Sequence, residues 1–211
     1  MIVAVDGPAA SGKGTIAKAL ARHYGLPHMD TGLLYRAVAL NLLRWDGDPE
    51  SEFSALRACD FAQMDFTDPE LKSEAVGGIA SRISAYPLVR QALVERQRAF
   101  ANQEGGAVLD GRDIGSVIAP DADAKLFVTA SPEVRARRRY DELLRMGLHA
   151  EYEEVLLDIR ARDERDRNRA AAPLLQAQDA VLLDTSGMSA EAAVAAAIAA
   201  VEARLGRAEA S

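Results

Sequence analysis

Short apolar runs alternate with stretches of helical periodicity along most of the chain. Ile2-Val3-Ala4-Val5, Leu26 to Met29, Ala107-Val108-Leu109, Ala124 to Thr129 and Val181-Leu182-Leu183-Asp184 are the runs. Apolar runs of this length suit strands buried on both faces. Between them, Ile16 to Tyr24 reads as a helix that stops at Gly25, with Pro27 just beyond. Leu34, Val38 and Leu42 mark the core stripe of a second helix, which Asp30 or Thr31 is placed to cap. Ser54 to Ala62 predicts a short helix, Phe61 to Phe66 a weak strand, and Asp68-Pro69 another turn or helix start. A helix over Ala75 to Ser84 turns Ile79 and Ile83 inward. Pro87 marks a kink or the first turn of a further helix, whose inner face carries Val89, Leu93, Arg96 and Phe100 up to Gly105-Gly106. Ser131-Pro132-Glu133 opens another helix, and the last one carries Val194, Ile198, Val201 and Leu205, leaving only the tail after Leu205 disordered. Five strands separated by helices predict an α/β fold with a parallel sheet and right-handed crossovers. Asp46 to Glu74 reads as an insertion, not as a layer of that sheet.

Gly7-Pro8-Ala9-Ala10-Ser11-Gly12-Lys13-Gly14-Thr15 lies between the first strand and the first helix. Strand, glycine-rich turn with Gly-x-x-x-x-Gly-Lys, then helix is the P-loop arrangement, here a P-loop NTPase fold. The glycines let successive backbone N–H groups point inward, and the helix N-terminus adds positive potential. Lys13 adds a full charge for the β- and γ-phosphates, so a nucleoside triphosphate is the predicted ligand. Tyr35 and Arg36 follow closely on the end of the second strand, where open α/β sheets bind ligands. They predict a second anion site or, taken alone and equally well, a capped helix with a surface arginine. Asp110-Gly111-Arg112-Asp113 is a charged run directly after the third strand, a poor candidate for core and a good one for function.

The 211 residues allow one domain with elaborations, and nearly half of them are apolar, enough for a substantial core. The net charge of −7 disfavours nucleic acid and anionic membranes as partners, so phosphate-binding charge must be concentrated locally. With four lysines among 25 basic residues, anion recognition away from Lys13 falls to arginine, which grips phosphate bidentately. The single cysteine, Cys59, excludes an intrachain disulfide. No apolar run reaches membrane-spanning length and the start lacks a basic leader, so the expectation is a soluble cytoplasmic monomer.

Ten arginines and nine acids lie between Arg135 and Arg169. Tyr152, Val155, Leu156 and Ile159 define the apolar stripe of the second helix in that segment. At about 100° per residue, Arg162, Asp166 and Arg169 continue the stripe and face inward. Inward charges need partners or a ligand. Arg135, Arg137, Arg138 and Arg139 begin the segment near the end of the fourth strand. An arginine-rich helical hairpin over a P-loop predicts a lid that closes on a transferring phosphoryl group and excludes water.

The loop ending Gly-Lys-Gly-Thr resembles that of the nucleoside monophosphate kinases, with Gly14 where other P-loops carry a metal-binding hydroxyl. More narrowly, the chain is similar to the bacterial cytidylate kinases from Ile2 to about Leu205. The blocks that carry the likeness are Asp30-Thr31-Gly32-Leu33-Leu34-Tyr35-Arg36, Tyr86-Pro87-Leu88-Val89-Arg90, Asp110-Gly111-Arg112-Asp113-Ile114-Gly115 and Arg162-Asp163-Glu164-Arg165-Asp166-Arg167-Asn168-Arg169. The resemblance implies phosphorylation of CMP and dCMP by ATP with Mg²⁺. It implies that Thr31, Tyr35 and Arg36 hold the acceptor nucleotide, Arg36 on its phosphate. Ser81, Arg90 and Asp166 would read the cytosine edge, with Arg169 in support. Arg112 would grip the acceptor phosphate, Asp113 the sugar, and Arg162 with the lid arginines would neutralise transition-state charge. Lys13, Arg112, Arg162 and Asp113 are then the catalytic candidates, and Asp110 or Asp113 the candidates to orient a metal-bound water. The expected division is a core of 1–35, 105–135 and 170–205, an acceptor region of 36–104 and a lid of 136–169. The insertion is shorter than in the longer family members, and Thr31 keeps the hydroxyl where serine is frequent. A kinase for UMP, AMP or a non-nucleotide acceptor is the near alternative. A nucleotide-binding switch with little turnover is the alternative of another class.

Overall fold

The computed structural model describes residues 1–61 and 64–209. Five strands, β1 (Ile2–Asp6), β2 (His28–Asp30), β3 (Ala107–Gly111), β4 (Ala124–Thr129) and β5 (Val181–Asp184), form one parallel sheet in the order β2-β3-β1-β4-β5. The P-loop strand β1 is therefore central, and ligands belong beyond the carboxyl ends where the order reverses. Register decides what collects there. Asp30 is aligned with Asp110, which brings those two acids together, while Asp6 is aligned with Gly111 and turns its carboxylate to Ile114 and Gly115 instead.

Two helices, α1 (Lys13–Tyr24) and α8 (Ala190–Glu209), cover one face of the sheet, where Val3, Val5, Ile16, Leu20 and Val201 are fully buried. Helix α5 (Pro87–Ala101) and a π-helical turn at Ile114–Ile118 cover the other. Helices α2 (Thr31–Arg44), α3 (Glu52–Arg57) and α4 (Glu74–Ile83) pack with α5 around a separate apolar cluster that includes Leu40, Leu71, Ile79 and Ile83. A small fourth cluster of Ala136, Leu156 and Ile159 joins the hairpin α6 (Pro132–Arg145) and α7 (Tyr152–Asn168). Residues 46–74 are an insertion without strand among the described positions, and they hold α3 and a 3₁₀ turn at Pro69–Lys72.

Several local expectations change. Neither Asp30 nor Thr31 caps α2 with its side chain; the Thr31 hydroxyl instead donates to Asp110 O at 2.8 Å, which ties α2 to the end of β3. On α5, Gln97 takes the inner position and Arg96 is exposed over the Phe61 ring, because a charge finds water more cheaply than a buried partner. The helix expected over Ser54 to Ala62 starts earlier, since Ser51 Oγ accepts from Ser54 N and sets its N-terminus. It also ends earlier, at Arg57, with residues 58–61 outside any helix. The last residue of that expectation and part of the Phe61 to Phe66 strand lie at 62–63, outside the described residues, and the described part, 61 and 64–66, holds no strand. The tail is helical to Glu209, and 210–211 lie outside the described residues.

Candidate active site

The glycine-rich loop has the backbone a phosphate cradle needs. Gly12 has φ +91 and even Ala10 is left-handed at φ 57, a strain typical of ligand-binding turns. Gly7 is held by a close approach: a Cβ there would stand 2.0 Å from Val128 O on β4. Helix α1 starts at Lys13 with no side-chain cap and no acid in its first turn, so its leading N–H groups are free to face an anion.

Lys13 Nζ lies 3.9 Å from Asp110 Oδ2, and His28 Nε2 is 2.7 Å from the other oxygen of the same carboxylate. Burial, followed by the charge of Arg112, lowers the pKa of Lys13, while Asp110, Asp30 and Asp166 oppose that shift. The Asp30 pKa is raised by burial and then by Asp110, its neighbour in the sheet register. A Cβ on Gly14 would stand 3.8 Å from Asp110 Oδ2. Two crowded carboxylates facing the lysine and Gly14 make an oxygen donor set that fits Mg²⁺, which commonly takes one or two carboxylates and completes its shell with phosphates and water. Among the described residues no group of three or more His, Cys, Asp or Glu side chains is arranged to hold a metal unaided. Of the two acids expected near the metal, Asp110 is beside the P-loop, whereas Asp113 is engaged with Arg90.

A cleft between α2, α4, the β3 end and α7 brings together most of the expected acceptor residues, among them Thr31, Tyr35, Arg36, Ser81, Arg112 and Asp166. Asp113, Arg162 and Arg169 also border it. Arg36 Nη1 donates to Leu71 O at 2.7 Å and to Ser73 O at 3.3 Å. Its guanidinium rests on Gly77, where a Cβ would stand 2.8 Å from Nη2, so α4 makes room for the arginine by omitting a side chain. Arg112 Nε donates to Asp166 Oδ2 at 2.7 Å. Burial works against the Asp166 anion, but Arg112, through charge and hydrogen bond, holds its pKa below the usual carboxylate value.

Arg90 is the expected acceptor residue that does not border the cleft. It is buried behind it, donating to Asp113, to Tyr35 Oη at 3.3 Å and to Ser84 O at 3.3 Å. Arg169 Nη2 is 3.5 Å from the second Asp113 oxygen, an ion pair longer than a normal hydrogen bond. The two carboxylates thus occupy different ends of the cleft. Asp166 belongs with Arg112 and the field of Lys13, and Asp113 with Arg90 and Tyr35.

The lid arginines divide by task. Arg135 is buried and pairs bidentately with Asp163 at 2.8 and 2.5 Å, and it also donates to Ala130 O and Ala9 O. It pins the hairpin to the P-loop. Arg138 donates to Ser11 O at 3.2 Å and to the Thr185 hydroxyl at 3.0 Å, on the wall of a second cleft that also includes Gly12 and Thr15. Arg137 stacks over the Tyr152 ring at 4.6 Å. Arg139 and Arg162 point to Glu74 at the start of α4; Arg162 Nη2 is 3.2 Å from Glu74 Oε2, and its Nε is 2.7 Å from Asp158 Oδ2 but off the hydrogen-bonding direction. The expected inward turn of Arg162, Asp166 and Arg169 is observed. Glu74, Gly77, His28, Asp163 and Thr185 were not singled out from the sequence. Thr185 directly follows a strand end, a usable signal; the pairing of Glu74 with residues 65 and 88 positions away has none.

Asp6, at the end of β1, accepts from the backbone N–H groups of Ile114 and Gly115, both at 2.8 Å, and so fixes the turn after Arg112 and Asp113. Burial, outweighing those two bonds, raises its pKa from 3.8 to about 6. A carboxyl raised in the folded state binds more protons than the unfolded chain between these values. Its stabilising contribution is therefore full below the unfolded value and is lost as pH rises through about 6, on the order of 3 kcal/mol. Urea unfolding from pH 4 to 7 should show this falling component in the wild type and lack it in Asp6→Asn; parallel curves would exclude it.

Comparison with known proteins agrees with this geometry. The family model described as cytidylate kinase matches residues 3–203. A cytidylate kinase of Xanthobacter autotrophicus is 58% identical over 205 residues, covering 97% of this chain and 98% of its own. One of Rhodopseudomonas palustris is 59% identical over 211 residues, covering 98% and 99%. Among solved structures, an uncharacterized protein from Eubacterium ventriosum superposes with a TM-score of 0.57 at 15% identity over 96% of this chain and 98% of that one, a likeness of fold alone. With a P-loop, a second anion cleft and an arginine hairpin between them, the chain belongs to the cytidylate kinase family.

Proposed function

We propose that this protein transfers the γ-phosphoryl group of ATP to CMP and dCMP, forming CDP and dCDP. The observation that carries the reading is that the acceptor cleft and the P-loop meet at Lys13 and Arg112, whose charges act on each other across the ends of adjacent strands. A nucleotide switch has no use for that second cationic cleft. ATP places its phosphates on the loop Gly7 to Thr15 and its nucleoside in the cleft beside Arg138 and Thr185. The acceptor phosphate lies between Arg36 and Arg112. Its dianion is already nucleophilic near neutral pH, so alignment and charge stabilisation by Lys13, Arg112, Arg162 and Arg139 make up the catalysis. Asp30 and Asp110, with the triphosphate and water, would hold Mg²⁺, which would supply charge neutralisation to the phosphates. Every group named comes from one chain, so a monomer suffices. The proposed division is into core (1–35, 105–135, 170–205), acceptor region (36–104) and lid (136–169); the separate clusters of α2 to α4 and of the α6–α7 hairpin support it, while Ala101 of α5 packs with the sheet. No described helix is long and apolar enough to cross a membrane.

An acceptor panel of CMP, dCMP, UMP and AMP with ATP tests this directly: turnover should follow the cytosine base, and equal rates on AMP would overturn the reading. For the base itself, the pairing of the two acids favours exchanging the roles that the family likeness implies. Asp113, held by Arg90 at the Tyr35 end, faces the base with Ser81, and Asp166, held by Arg112, faces the sugar. The carboxylate at the base accepts from the cytosine amino group and repels the uracil carbonyl, a preference of about 1–3 kcal/mol. Asp113→Asn should lower the CMP-to-UMP ratio of kcat/KM by about tenfold or more, with a smaller change for Asp166→Asn. The reverse ranking would restore Asp166 to the base.

A further inference from the structure

Arg165 lies on the exposed side of α7, yet its Nε donates to Ser81 Oγ on α4 at 3.2 Å. Ser81 is half-buried and stands between two hollows. One is the acceptor cleft, which it borders with Asp166 and Arg112. The other is an outer groove that it borders with Arg165 and Arg82. Arg165 borders the groove and not the acceptor cleft, so it touches the serine from the side away from that cleft.

A serine hydroxyl has one hydrogen and two lone pairs, and by itself it adapts to a donor or an acceptor alike. Here one lone pair is occupied by a guanidinium N–H, a charge-assisted bond. The positive charge repels the hydroxyl hydrogen and turns it toward the cleft. It also withdraws electron density from the oxygen, which strengthens the O–H as a donor and weakens it as an acceptor. None of the hydrogen bonds among the described residues uses that hydrogen. What faces the cleft is therefore a hydroxyl biased to donate. On the pyrimidine edge, N3 of cytosine is an acceptor, whereas N3 of uracil carries a hydrogen. A biased donor fits the first and opposes the second.

We propose that Arg165 is a positioning residue for base selection: by holding Ser81 from behind, it sets the serine hydroxyl as a donor to the pyrimidine and raises the preference for cytosine over uracil. This rests on the reading that the acceptor base lies against Ser81. Because Arg165 belongs to the lid hairpin and Ser81 to the acceptor region, the bond also makes the selection depend on the lid being seated over the acceptor.

The test compares kcat/KM for CMP and UMP at saturating ATP in the wild type, Arg165→Ala, Arg165→Lys, Ser81→Ala and the Arg165→Ala/Ser81→Ala double variant. Arg165→Ala should lower the CMP-to-UMP ratio on the order of tenfold through loss on CMP, leaving KM for ATP unchanged. Ser81→Ala should lower it at least as far, the double variant should match Ser81→Ala, and Arg165→Lys should recover part of the ratio. If Ser81→Ala lowers the ratio and Arg165→Ala does not, the proposal fails while the base placement stands. An additive double variant, or equal losses on CMP and UMP in Arg165→Ala, also overturns it. If Ser81→Ala leaves the ratio unchanged, the base does not lie against Ser81, and both fall together. Arg165 is exposed, so its replacement leaves the core untouched.

Discussion

Replacing Lys13 with alanine should abolish phosphoryl transfer, with kcat for CMP falling on the order of 10³-fold or more, while the fold stays intact. The side chain sits at the mouth of the P-loop, its ammonium 3.9 Å from Asp110. In the proposed complex it is the cation that meets the β- and γ-oxygens, whose charge grows in the transition state. Its removal also leaves Asp30 and Asp110 without the lysine charge that opposes their repulsion. ATP affinity should therefore fall as well. Single-turnover transfer and a thermal melt on the same sample separate the two effects. Near-normal turnover would sink the assignment of the loop, and a collapsed melt would leave the activity loss to a lost fold.

Arg36→Ala should raise KM for CMP on the order of 10²-fold, consistent with losing a charge-assisted contact to phosphate, and change KM for ATP only slightly. The guanidinium donates to the carbonyls of Leu71 and Ser73, neutral acceptors that a phosphate would outcompete because it carries full negative charge. Burial, and then the facing Arg162 and Arg139, lower the pKa of Arg36, so three cations converge where a phosphate is to bind. Glu74 holds Arg139 and Arg162 in the meantime. Gly77→Val offers an independent check, since its side chain occupies the seat of the Arg36 guanidinium. It should reproduce the acceptor defect without removing a charge. Equal losses for both substrates in Arg36→Ala would argue that the residue serves the whole site instead.

Much of the molecule was legible before any coordinates. The strands β4 and β5 fall where their apolar runs predict, and Gly25 ends α1 in the left-handed conformation expected of it. The P-loop is local in sequence, so strand, turn and helix periodicity announce it together. Inward-facing Asp166 and Arg169 followed from helical geometry alone, because the apolar stripe of α7 fixes the angle at which later residues emerge. Arg96 failed by the same rule: periodicity identifies a face, but the buried place went to Gln97, which satisfies itself on Leu93 O without a charge to desolvate.

Pairing between distant elements is of another kind. Arg90 with Asp113, Arg112 with Asp166, and Arg135 with Asp163 all join residues separated by 23 to 54 positions. Nothing in a linear pattern says which acid meets which base in a segment with ten arginines and nine acids. Parallel register and the seating of α7 on α4 make that choice. The amino-acid sequence by itself determined the sheet, the P-loop and the set of charges turned inward, because each depends on local periodicity and on residue chemistry. Only the tertiary structure decided the partners, the room left by Gly77 for Arg36, and the arginine behind Ser81. These depend on distances across elements, and charges are sorted by which burial is least costly once the chain has folded.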